Sequence, residues 1–196
     1  CQLCPAVNDR SLYRSGYLEG FTTLVQGEDG WLFRSDDDLR MAFGPDERGY
    51  AELRRFREAL RRRGTELVMV YQPARGLMHA DKLPPEVRRR YDVDVARSSY
   101  AAALARFRRA GIIVPPFEKL LKEGDSEPPY FFKGDHHWTP DGARRTAQLV
   151  AEGIRAVPVY RQLAQKTFVT TRSGVLAKRG TLQKAATLLC GHGYAD

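Results

Sequence analysis

"TELVMVYQP", residues 65–73, carries the clearest fold signal in the sequence. Its apolar residues run consecutively from Leu67 to Tyr71. In a strand with one solvent-exposed face, apolar and polar residues would alternate. Continuous apolar strands are typical of parallel sheets that helices cover on both faces. We therefore predict a buried strand here, with Gly64 ending the helix before it.

A second buried strand is predicted in "IIVP", residues 112–115. A helix over about 96–109 precedes it, and Gly111 ends that helix. Strand, helix and strand in this order form a βαβ unit, whose two strands pair in parallel. The predicted fold class is therefore α/β, a parallel sheet flanked by helices. "LVQGEDGWLF", residues 24–33, adds an N-terminal β-hairpin around its Glu-Asp-Gly turn.

The chain of 196 residues carries a net charge of +8, from 32 basic and 24 acidic side chains. Such a charge favours polyanionic partners, which include nucleic acid, anionic lipid and acidic polysaccharide. Many arginines, however, lie in the segment 49–63, where Leu53, Phe56 and Leu60 form the apolar stripe of an amphipathic helix. Those arginines are expected to face water, so charge alone identifies no ligand. No run of about 18 apolar residues occurs, and no transmembrane segment is predicted.

The three cysteines stand at the two ends of the sequence, at Cys1, Cys4 and Cys190. Cys1 and Cys4 have the spacing of half a zinc site, but no second pair and no suitably spaced histidine pair follows, so no metal site is predicted. The alternative is a disulfide from the N-terminal pair to Cys190, with Cys4 the favoured partner, which indicates an oxidising compartment. Cys1 would then stay unpaired or carry a lipid. Because the chain begins with Cys1 and not with methionine, we expect any signal peptide to have been removed.

"YFFKGDHHWTPDGARR", residues 130–145, combines two adjacent histidines with the start of a helix. Thr139 is a typical N-cap, Pro140 suits the first helical position, and Asp141 suits the first turn. The Asp-His-His run before them therefore lies in the loop between an extended segment and a helix. In open α/β folds, ligands bind at such loops.

Asp135 and His137 are the candidate catalytic residues. Two residues apart in an extended loop, they can point to the same side and form an acid/base pair, in which the carboxylate fixes the imidazole tautomer. His136 would point the other way, towards packing or a loop carbonyl. The alternative is that all three side chains cap the helix and bond backbone groups. Spacing alone does not distinguish the two.

Separate blocks of the sequence resemble a known family. "VQGEDGWLF" (25–33), "VYQPARG" (70–76) and "FFKGDHHWTPDGA" (131–143) are similar to the SGNH-like acetyltransferases that modify bacterial exopolysaccharides, and among them to the alginate O-acetyltransferases. The resemblance extends over nearly the whole chain. It implies an SGNH-hydrolase-like fold and a periplasmic enzyme, without a cofactor, that acetylates mannuronate residues of alginate. The implied partners are alginate, an acetyl donor that is a protein or a small molecule, and other proteins of a periplasmic export complex, with no nucleic acid.

By this resemblance, Asp135 and His137 match the aspartate and histidine of a Ser-His-Asp triad. The family's serine lies in a Gly-x-Ser block after the second bridged cysteine and is followed by a carbohydrate-binding module, whereas this chain stops at Asp196. We therefore expect residues 1–196 to be the N-terminal portion of an SGNH-like acetyltransferase domain, with a sheet that is incomplete at the C-terminus. Such a chain would be inactive alone. Ser173, the one serine after His137, is a weak alternative nucleophile.

Three further residues are candidates for binding the substrate. Arg75 could bind a uronate carboxylate through two hydrogen bonds, or it could pair with a structural acid. Lys133 could reach the same polyanion or stay solvated. Trp138 could stack on a sugar ring, or it could form the hydrophobic staple of the following helix.

The other histidines and the tyrosines near these motifs are expected to have no catalytic role. His79 and His192 are expected at the surface or in loops, and Tyr71 and Tyr130 in the core. Towards the C-terminus the pattern weakens. "KTFVTTRSGVL", residues 166–176, could be a strand pair, and "TLQKAATLLC", residues 181–190, a short helix that holds the last cysteine.

Two other functions remain open at this point. A non-catalytic scaffold would bind an acidic polysaccharide in a salt-dependent way and would keep that binding in the variant His137→Ala. An acetyl esterase on the same fold would transfer the acetyl group to water. A nucleic-acid-binding module is disfavoured, because the arginines lie on an amphipathic helix and the inferred compartment holds no nucleic acid.

Overall fold

The computed structural model describes residues 2–122, 128–171, 174–175 and 179–191. Cys1, Ser173 and His192, for which the sequence raised expectations, lie outside these residues. The strands are β1 (Leu24–Gln26) and β2 (Leu32–Arg34). The α-helices are α1 (Ser35–Asp38), α2 (Glu47–Arg61), α3 (Arg75–Met78), α4 (Pro85–Arg88), α5 (Val93–Arg109), α6 (Pro140–Arg155) and α7 (Thr181–Cys190). The 3₁₀ helices are Pro5–Asn8, Arg10–Tyr13, Gly16–Leu18, Glu28–Gly30, Ala80–Lys82, Phe117–Lys122 and Pro158–Gln162.

The predicted N-terminal hairpin is confirmed. β1 and β2 pair antiparallel, with Leu24 opposite Arg34 and Gln26 opposite Leu32. The turn between them uses left-handed backbone at Asp29 (φ 53°) and Gly30 (φ 79°), which suits the Asp-Gly sequence. The hairpin thereby presents Leu32 and its neighbours to the interior of the protein.

The two predicted central strands lie side by side in parallel, as the βαβ pattern requires. Val68 and Ile113 form a parallel bridge, and Ile113 N–H donates to the carbonyl of Leu67 at 3.0 Å. Within the described part of the chain this pairing is short and does not extend into regular strands. Val70 is 46% exposed, so the expectation that the first segment is buried on both faces was wrong. In the described residues only one face of that segment is covered.

The predicted helices are confirmed to within a few residues, because their local signals are strong. Asp92 caps α5 by accepting from the N–H groups of Asp94 and Val95, and Thr139 caps α6 by accepting from Gly142 N–H. α5 buries one face in the main core, and its buried residues are Ala96, Tyr100, Ala103, Leu104 and Phe107. Within the described residues no helix combines the length and hydrophobicity needed to span a membrane.

The predicted strand pair at 166–176 is not present in the described part of that segment. Residues 166–171 have no regular structure, and Phe168 and Val169 are 84% and 85% exposed. A strand needs a paired neighbour, and in the described residues none lies beside them. The short helix predicted after this segment is confirmed as α7.

A second, smaller core joins α7 to the N-terminal residues and to the hairpin. It contains Val7, Tyr13, Leu18, Leu24, Leu32, Leu182, Ala185 and Ala186. The disulfide between Cys4 and Cys190 closes this core, with the two Cα atoms 5.5 Å apart. The predicted pairing of Cys4 with Cys190 is therefore present in the structure.

Arg75, the first residue of α3, is 1% exposed. Its guanidinium donates to four backbone carbonyls, those of Leu32, Phe132, Lys133 and Asp135, at 2.5–2.9 Å. The rings of Trp31, Phe33 and Phe131 lie within 5.7 Å of its Cζ atom. Burial lowers the pKa of Arg75 to about 10, so the side chain is charged at neutral pH. One buried cation therefore ties β2 to the loop over residues 132–135.

We predict that Arg75→Lys destabilises the protein by about 3 kcal/mol, because one ammonium cannot reach four carbonyls and buried acceptors lose their donors. Urea unfolding at neutral pH measures this loss. Arg48→Lys, on the exposed start of α2, is the matched control and should change the free energy of unfolding by less than about 0.5 kcal/mol. Equal stabilities of the two variants would contradict the role given to Arg75.

We further predict that Cys4→Ser lowers the free energy of unfolding by about 3 to 5 kcal/mol, because the lost bridge closes a very long loop. The sequence separation of the two cysteines is 186 residues. Cys1→Ser is the matched control and should leave the urea midpoint unchanged. A larger loss in Cys1→Ser than in Cys4→Ser would show that the pairing is wrong.

Candidate active site

A groove of about 560 Å³ opens where the first central segment ends. This is the place at which open α/β folds bind ligands. Its volume lies in the range of small-molecule sites, about 300 to 1,000 Å³. The lining residues are Arg34, Asp37, Asp38, Arg40, Tyr71, Gln72, Pro73, Ala74, Arg75, Phe131, His136, His137 and Trp138.

Asp135 and His137 form the pair that the sequence predicted. His137 Nδ1 lies 2.6 Å from Asp135 Oδ1, and the backbone N–H of His137 donates to the same oxygen at 2.8 Å. The carboxylate therefore holds the proton on Nδ1, which leaves Nε2 of the neutral ring free to accept a proton. Nε2 has no hydrogen-bond partner among the described residues, and the side chain of His137 is 62% exposed. The arrangement suits a general base.

The N-terminus of α7 holds the other side of the Asp135 carboxylate. Oδ2 accepts from Thr181 N–H at 2.7 Å, and the carbonyl of Gly134 accepts from Leu182 and Gln183. Burial alone raises the pKa of Asp135, but the N–H groups of His137 and Thr181 and the His137 ring outweigh it and lower the pKa to about 2. Asp135 is therefore ionised throughout the neutral pH range.

Glycine makes this close approach of helix and loop possible. A side chain on Gly180 would collide with the carbonyl of Gly134, and one on Gly134 would lie 2.5 Å from the side chain of Gln183. Both collisions would push α7 away from the loop. The distance between Thr181 and Asp135 therefore depends on two residues without Cβ atoms.

His136 does not point away from His137, and that prediction was wrong. The two imidazole rings lie 4.0 Å apart between centroids, and His136 Nδ1 is 2.7 Å from Thr181 Oγ1. Residues 133–137 form turns and bends, so the alternation of side chains in a strand does not apply to them. Burial lowers the pKa of His136, and the neighbouring Arg34 and the His137 ring, when it is protonated, lower it further. Its ring is a neutral neighbour of the catalytic candidate.

The alternative prediction, that the side chains of the Asp-His-His run cap the following helix, is correct only in part. Thr139, and not the Asp-His-His run, caps α6. Asp135 does cap a helix, but that helix is α7, which begins far along the chain. The role of Thr181 was not predicted from the sequence, because no motif near this residue indicates a contact with Asp135. The carboxylate therefore serves both the helix terminus and the His137 ring.

The three predicted substrate-binding residues have different positions. Trp138 is 37% exposed and lines the groove, which favours stacking on a ligand. Lys133 is exposed but does not line the groove. Arg75 pairs neither with a structural acid nor with a ligand, because four of its N–H donors are taken by carbonyls. Of the three, Trp138 is the residue whose position favours contact with a ligand.

His79 was expected at the surface or in a loop, and it lies in the short connection between α3 and the 3₁₀ helix Ala80–Lys82, but it is buried and not at the surface. Its ring is 2% exposed, lies 4.1 Å from the Trp31 ring, and accepts from Phe131 N–H through Nε2. Burial lowers the pKa of His79 to about 3. Tyr130 is buried as expected and bonds Thr146, while the half-buried Tyr71 lines the groove. His79 and Tyr130 support the wall behind the site.

Asp135, His136 and His137 are also of types that bind metals, and their donor atoms lie within 4.8 Å of one another. Both Asp135 oxygens and the Nδ1 atoms of both histidines already make hydrogen bonds. The two Nε2 atoms are the remaining donors of this cluster. A metal bound there would need further ligands, so we assign no metal role to these residues.

Comparison with known proteins places the chain in a family. Residues 24–196 match the family described as SGNH hydrolase-like domain, acetyltransferase AlgX. The alginate biosynthesis protein AlgX of Pseudomonas aeruginosa is 50% identical over 193 residues, which are 98% of this chain and 40% of the relative. AlgX of Azotobacter vinelandii is 44% identical over all of this chain and 40% of its own length. The chain thus spans well under half of these relatives.

Solved structures agree with this match. The structure of Pseudomonas aeruginosa AlgX superposes with a TM-score of 0.91 over 98% of this chain and 47% of that chain, at 50% identity. The O-acetyltransferase domain of Pseudomonas putida AlgJ superposes with a TM-score of 0.64, at 25% identity, over 85% of this chain and 61% of that chain. The predicted α/β, SGNH-like fold class is thereby confirmed. The chain belongs to the SGNH hydrolase-like domain family of the acetyltransferase AlgX.

Proposed function

We propose that this chain supplies the histidine and the aspartate of a Ser-His-Asp site that O-acetylates mannuronate residues of alginate. The hydrogen bond between His137 Nδ1 and Asp135, beside an open groove, is the observation that carries the proposal. The names of the relatives support the substrate and the reaction, since they include alginate biosynthesis protein AlgX and probable alginate O-acetylase AlgJ.

The first half of the reaction is transfer of acetyl to the enzyme. His137 Nε2 takes the proton of a serine hydroxyl as the serine oxygen attacks the acetyl carbonyl of the donor. The tetrahedral intermediate collapses, the donor leaves with that proton, and an acetyl ester of serine remains. No serine lines the groove in the described residues, so we place the nucleophile in a part of the enzyme beyond this chain.

The second half transfers acetyl to the polysaccharide. A sugar hydroxyl gives its proton to His137 Nε2 while its oxygen attacks the acetyl-serine, and the same proton returns to the serine as it leaves. Asp135 stays ionised through both halves, keeps Nδ1–H in place, and stabilises the imidazolium that forms each time. The scheme requires no cofactor.

The location and the partners follow from the same proposal. The Cys4–Cys190 disulfide favours an oxidising compartment, which in a bacterium that exports alginate is the periplasm. The acetyl donor would be a protein or a small molecule, and other proteins of the export complex would hold the polymer. If water replaces the sugar hydroxyl in the second half, the enzyme is an esterase.

A second candidate function is a non-catalytic scaffold that binds the acidic polysaccharide. The observation that favours it is the lack of a serine at the groove among the described residues. Under this alternative the groove binds the polymer, and His137→Ala has no effect on the acetyl content of the product. Activity of a longer polypeptide separates the two functions.

We predict that His137→Ala in a polypeptide extended beyond residue 196 lowers acetyl transfer to oligomannuronate by about a thousandfold or more, because the general base is lost. Mass spectrometry of the oligosaccharide measures the transfer. His136→Gln is the matched control and should retain activity within about tenfold, since its ring makes no bond to the carboxylate.

The same assay decides the alternatives. Acetate release in place of sugar acetylation would identify an esterase. Transfer that survives His137→Ala would refute the proposed base. The chain of 196 residues should not hydrolyse a chromogenic acetyl ester, and turnover that His137→Ala abolishes would place the nucleophile within it.

We also predict a pH-dependent contribution of Asp135 to stability. Its pKa in the fold is about 2, below the ordinary value of 3.8, so the ionised form stabilises the fold above about pH 4, and this contribution is lost as the pH falls towards 2. At pH 6, Asp135→Asn should therefore be less stable by about 1 kcal/mol, allowing for screening by water.

Urea unfolding between pH 6 and pH 2 checks this prediction, and the difference between Asp135→Asn and the native chain should vanish at the acid end. Asp36→Asn, which removes an exposed carboxylate, is the control. A difference that stays constant over the whole range would contradict the assignment of the hydrogen bonds to the ionised carboxylate.

A further inference from the structure

We propose that Arg40 selects acidic sugars in the groove by binding the carboxylate of a uronate residue. The inference rests on the proposed function, because it assumes that the groove receives the sugar whose hydroxyl is acetylated. It assigns specificity to a residue that the sequence did not single out.

Three arginines line the groove, and they differ in their capacity to accept a new anion. Arg34 is bonded to Asp38 through Nε and Nη2, at 3.3 and 2.8 Å, and its Nη1 lies 3.5 Å from Asp37. Arg75 is committed to backbone carbonyls. Arg40 forms no ion pair with any carboxylate among the described residues, and it is exposed. Arg40 is therefore the lining arginine that can bind a carboxylate from solvent.

The lining of the groove has a net positive charge. Three arginines and two aspartates, Asp37 and Asp38, line the groove, so their sum is three minus two, or one excess positive charge. Asp38 is 3% exposed and is bonded to Arg34, and Asp37 lies beside the same arginine. Arg75 is buried on backbone carbonyls, so among the three lining arginines Arg40 is the one that is exposed to solvent and has no carboxylate partner in the described residues. A polyanion entering the groove is attracted to that side.

The guanidinium of Arg40 lies against an aromatic ring. Arg40 Cζ lies 4.9 Å from the centre of the Phe43 ring. Phe43 itself is fixed, because its N–H donates to Ser99 Oγ at 3.0 Å and its ring packs edge-on against Tyr100 at 5.4 Å. A guanidinium that stacks on an aromatic ring keeps the N–H groups at its edge for a carboxylate, which it binds through two parallel hydrogen bonds.

The remaining walls of the groove suit the rest of a sugar. Trp138 is partly exposed and offers an aromatic face to a pyranose ring, and His137 offers Nε2 to a hydroxyl. A uronate bound in this groove through Arg40 shares the cavity with Trp138 and His137, which line it as well. A neutral sugar of the same shape would lose the Arg40 contact alone. The groove therefore distinguishes the two by charge and not by shape.

Calorimetric titration of the 196-residue chain tests the proposal without any need for turnover. The two ligands are oligomannuronate and the same oligosaccharide after reduction of its carboxyl groups to alcohols. The native chain should bind the acidic ligand more tightly. Arg40→Gln should weaken that binding by at least about tenfold and leave binding of the neutral ligand unchanged, because one charged hydrogen-bond pair is removed.

Two further variants sharpen the result. Arg48→Gln removes an exposed arginine outside the groove and should change neither affinity, which controls for net charge. Trp138→Ala should weaken the binding of both ligands to a similar degree. The proposal is overturned if Arg40→Gln keeps the preference for the acidic ligand, if it weakens both ligands equally, or if the native chain does not distinguish them.

The result of the titration does not depend on the proposed catalytic mechanism. His137→Ala should keep the preference for the acidic ligand, since the base does not contact the carboxylate. If acetyl transfer survives His137→Ala while Arg40→Gln abolishes the preference, the catalytic proposal is wrong and the specificity proposal stands. If His137→Ala abolishes acetyl transfer while Arg40→Gln keeps the preference for the acidic ligand, the specificity proposal is wrong and the catalytic proposal stands.

Discussion

The structure depends on one buried cation and the four carbonyl groups that surround it. Arg75 cannot lose its charge at neutral pH, and its burial is tolerated only because the backbone supplies acceptors on every side that it reaches. Three of those acceptors come from the loop at 132–135, whose carbonyls are turned inward. The hydrogen bonds from Arg75 therefore fix the shape of this loop. The catalytic candidates lie on it or beside it.

The contact with α7 is a second constraint on the same loop. α7 directs its first N–H groups at Gly134 and Asp135, and the second core and the disulfide hold α7 against the N-terminal residues. Asp135 thus receives hydrogen bonds from a helix, from the loop backbone and from an imidazole. Each donor favours the ionised carboxylate, and the ionised carboxylate in turn orients His137.

Local patterns were sufficient for much of this structure. The Glu-Asp-Gly turn predicted the hairpin, and Thr139 and Pro140 predicted the start of α6. The spacing of Asp135 and His137 allowed the pairing that the structure shows, without deciding between it and helix capping. Each of these signals lies within a few residues of the feature that it predicts. The length of the central strands was not predictable in this way, because strand pairing depends on neighbours that are distant in sequence.

The features that the sequence did not reveal all depend on contacts between distant segments. Arg75 was expected to meet an acid or a ligand, but nothing in "YQPARG" indicates that three carbonyls of another loop will surround it. His79 does lie in a loop, but its burial depends on contacts with Trp31 and Phe131, which are distant in sequence. Thr181 and Arg40 have no local motif, and they become functional candidates only when the fold brings them to the groove.

The spacing of these contacts along the chain has a consequence for how the protein acquires its site. The contacts of Arg75 with the carbonyls of Leu32 and Asp135 join residues 43 and 60 positions apart, Asp135 and Thr181 are 46 apart, and the disulfide joins residues 186 apart. Contacts between residues so far apart form slowly, because long loops must close before these contacts contribute to stability. Helices α2 and α5 can form early from local signals. The geometry of the acid/base pair is complete only when α7 has docked, so a folding molecule gains its shape before it gains its chemistry.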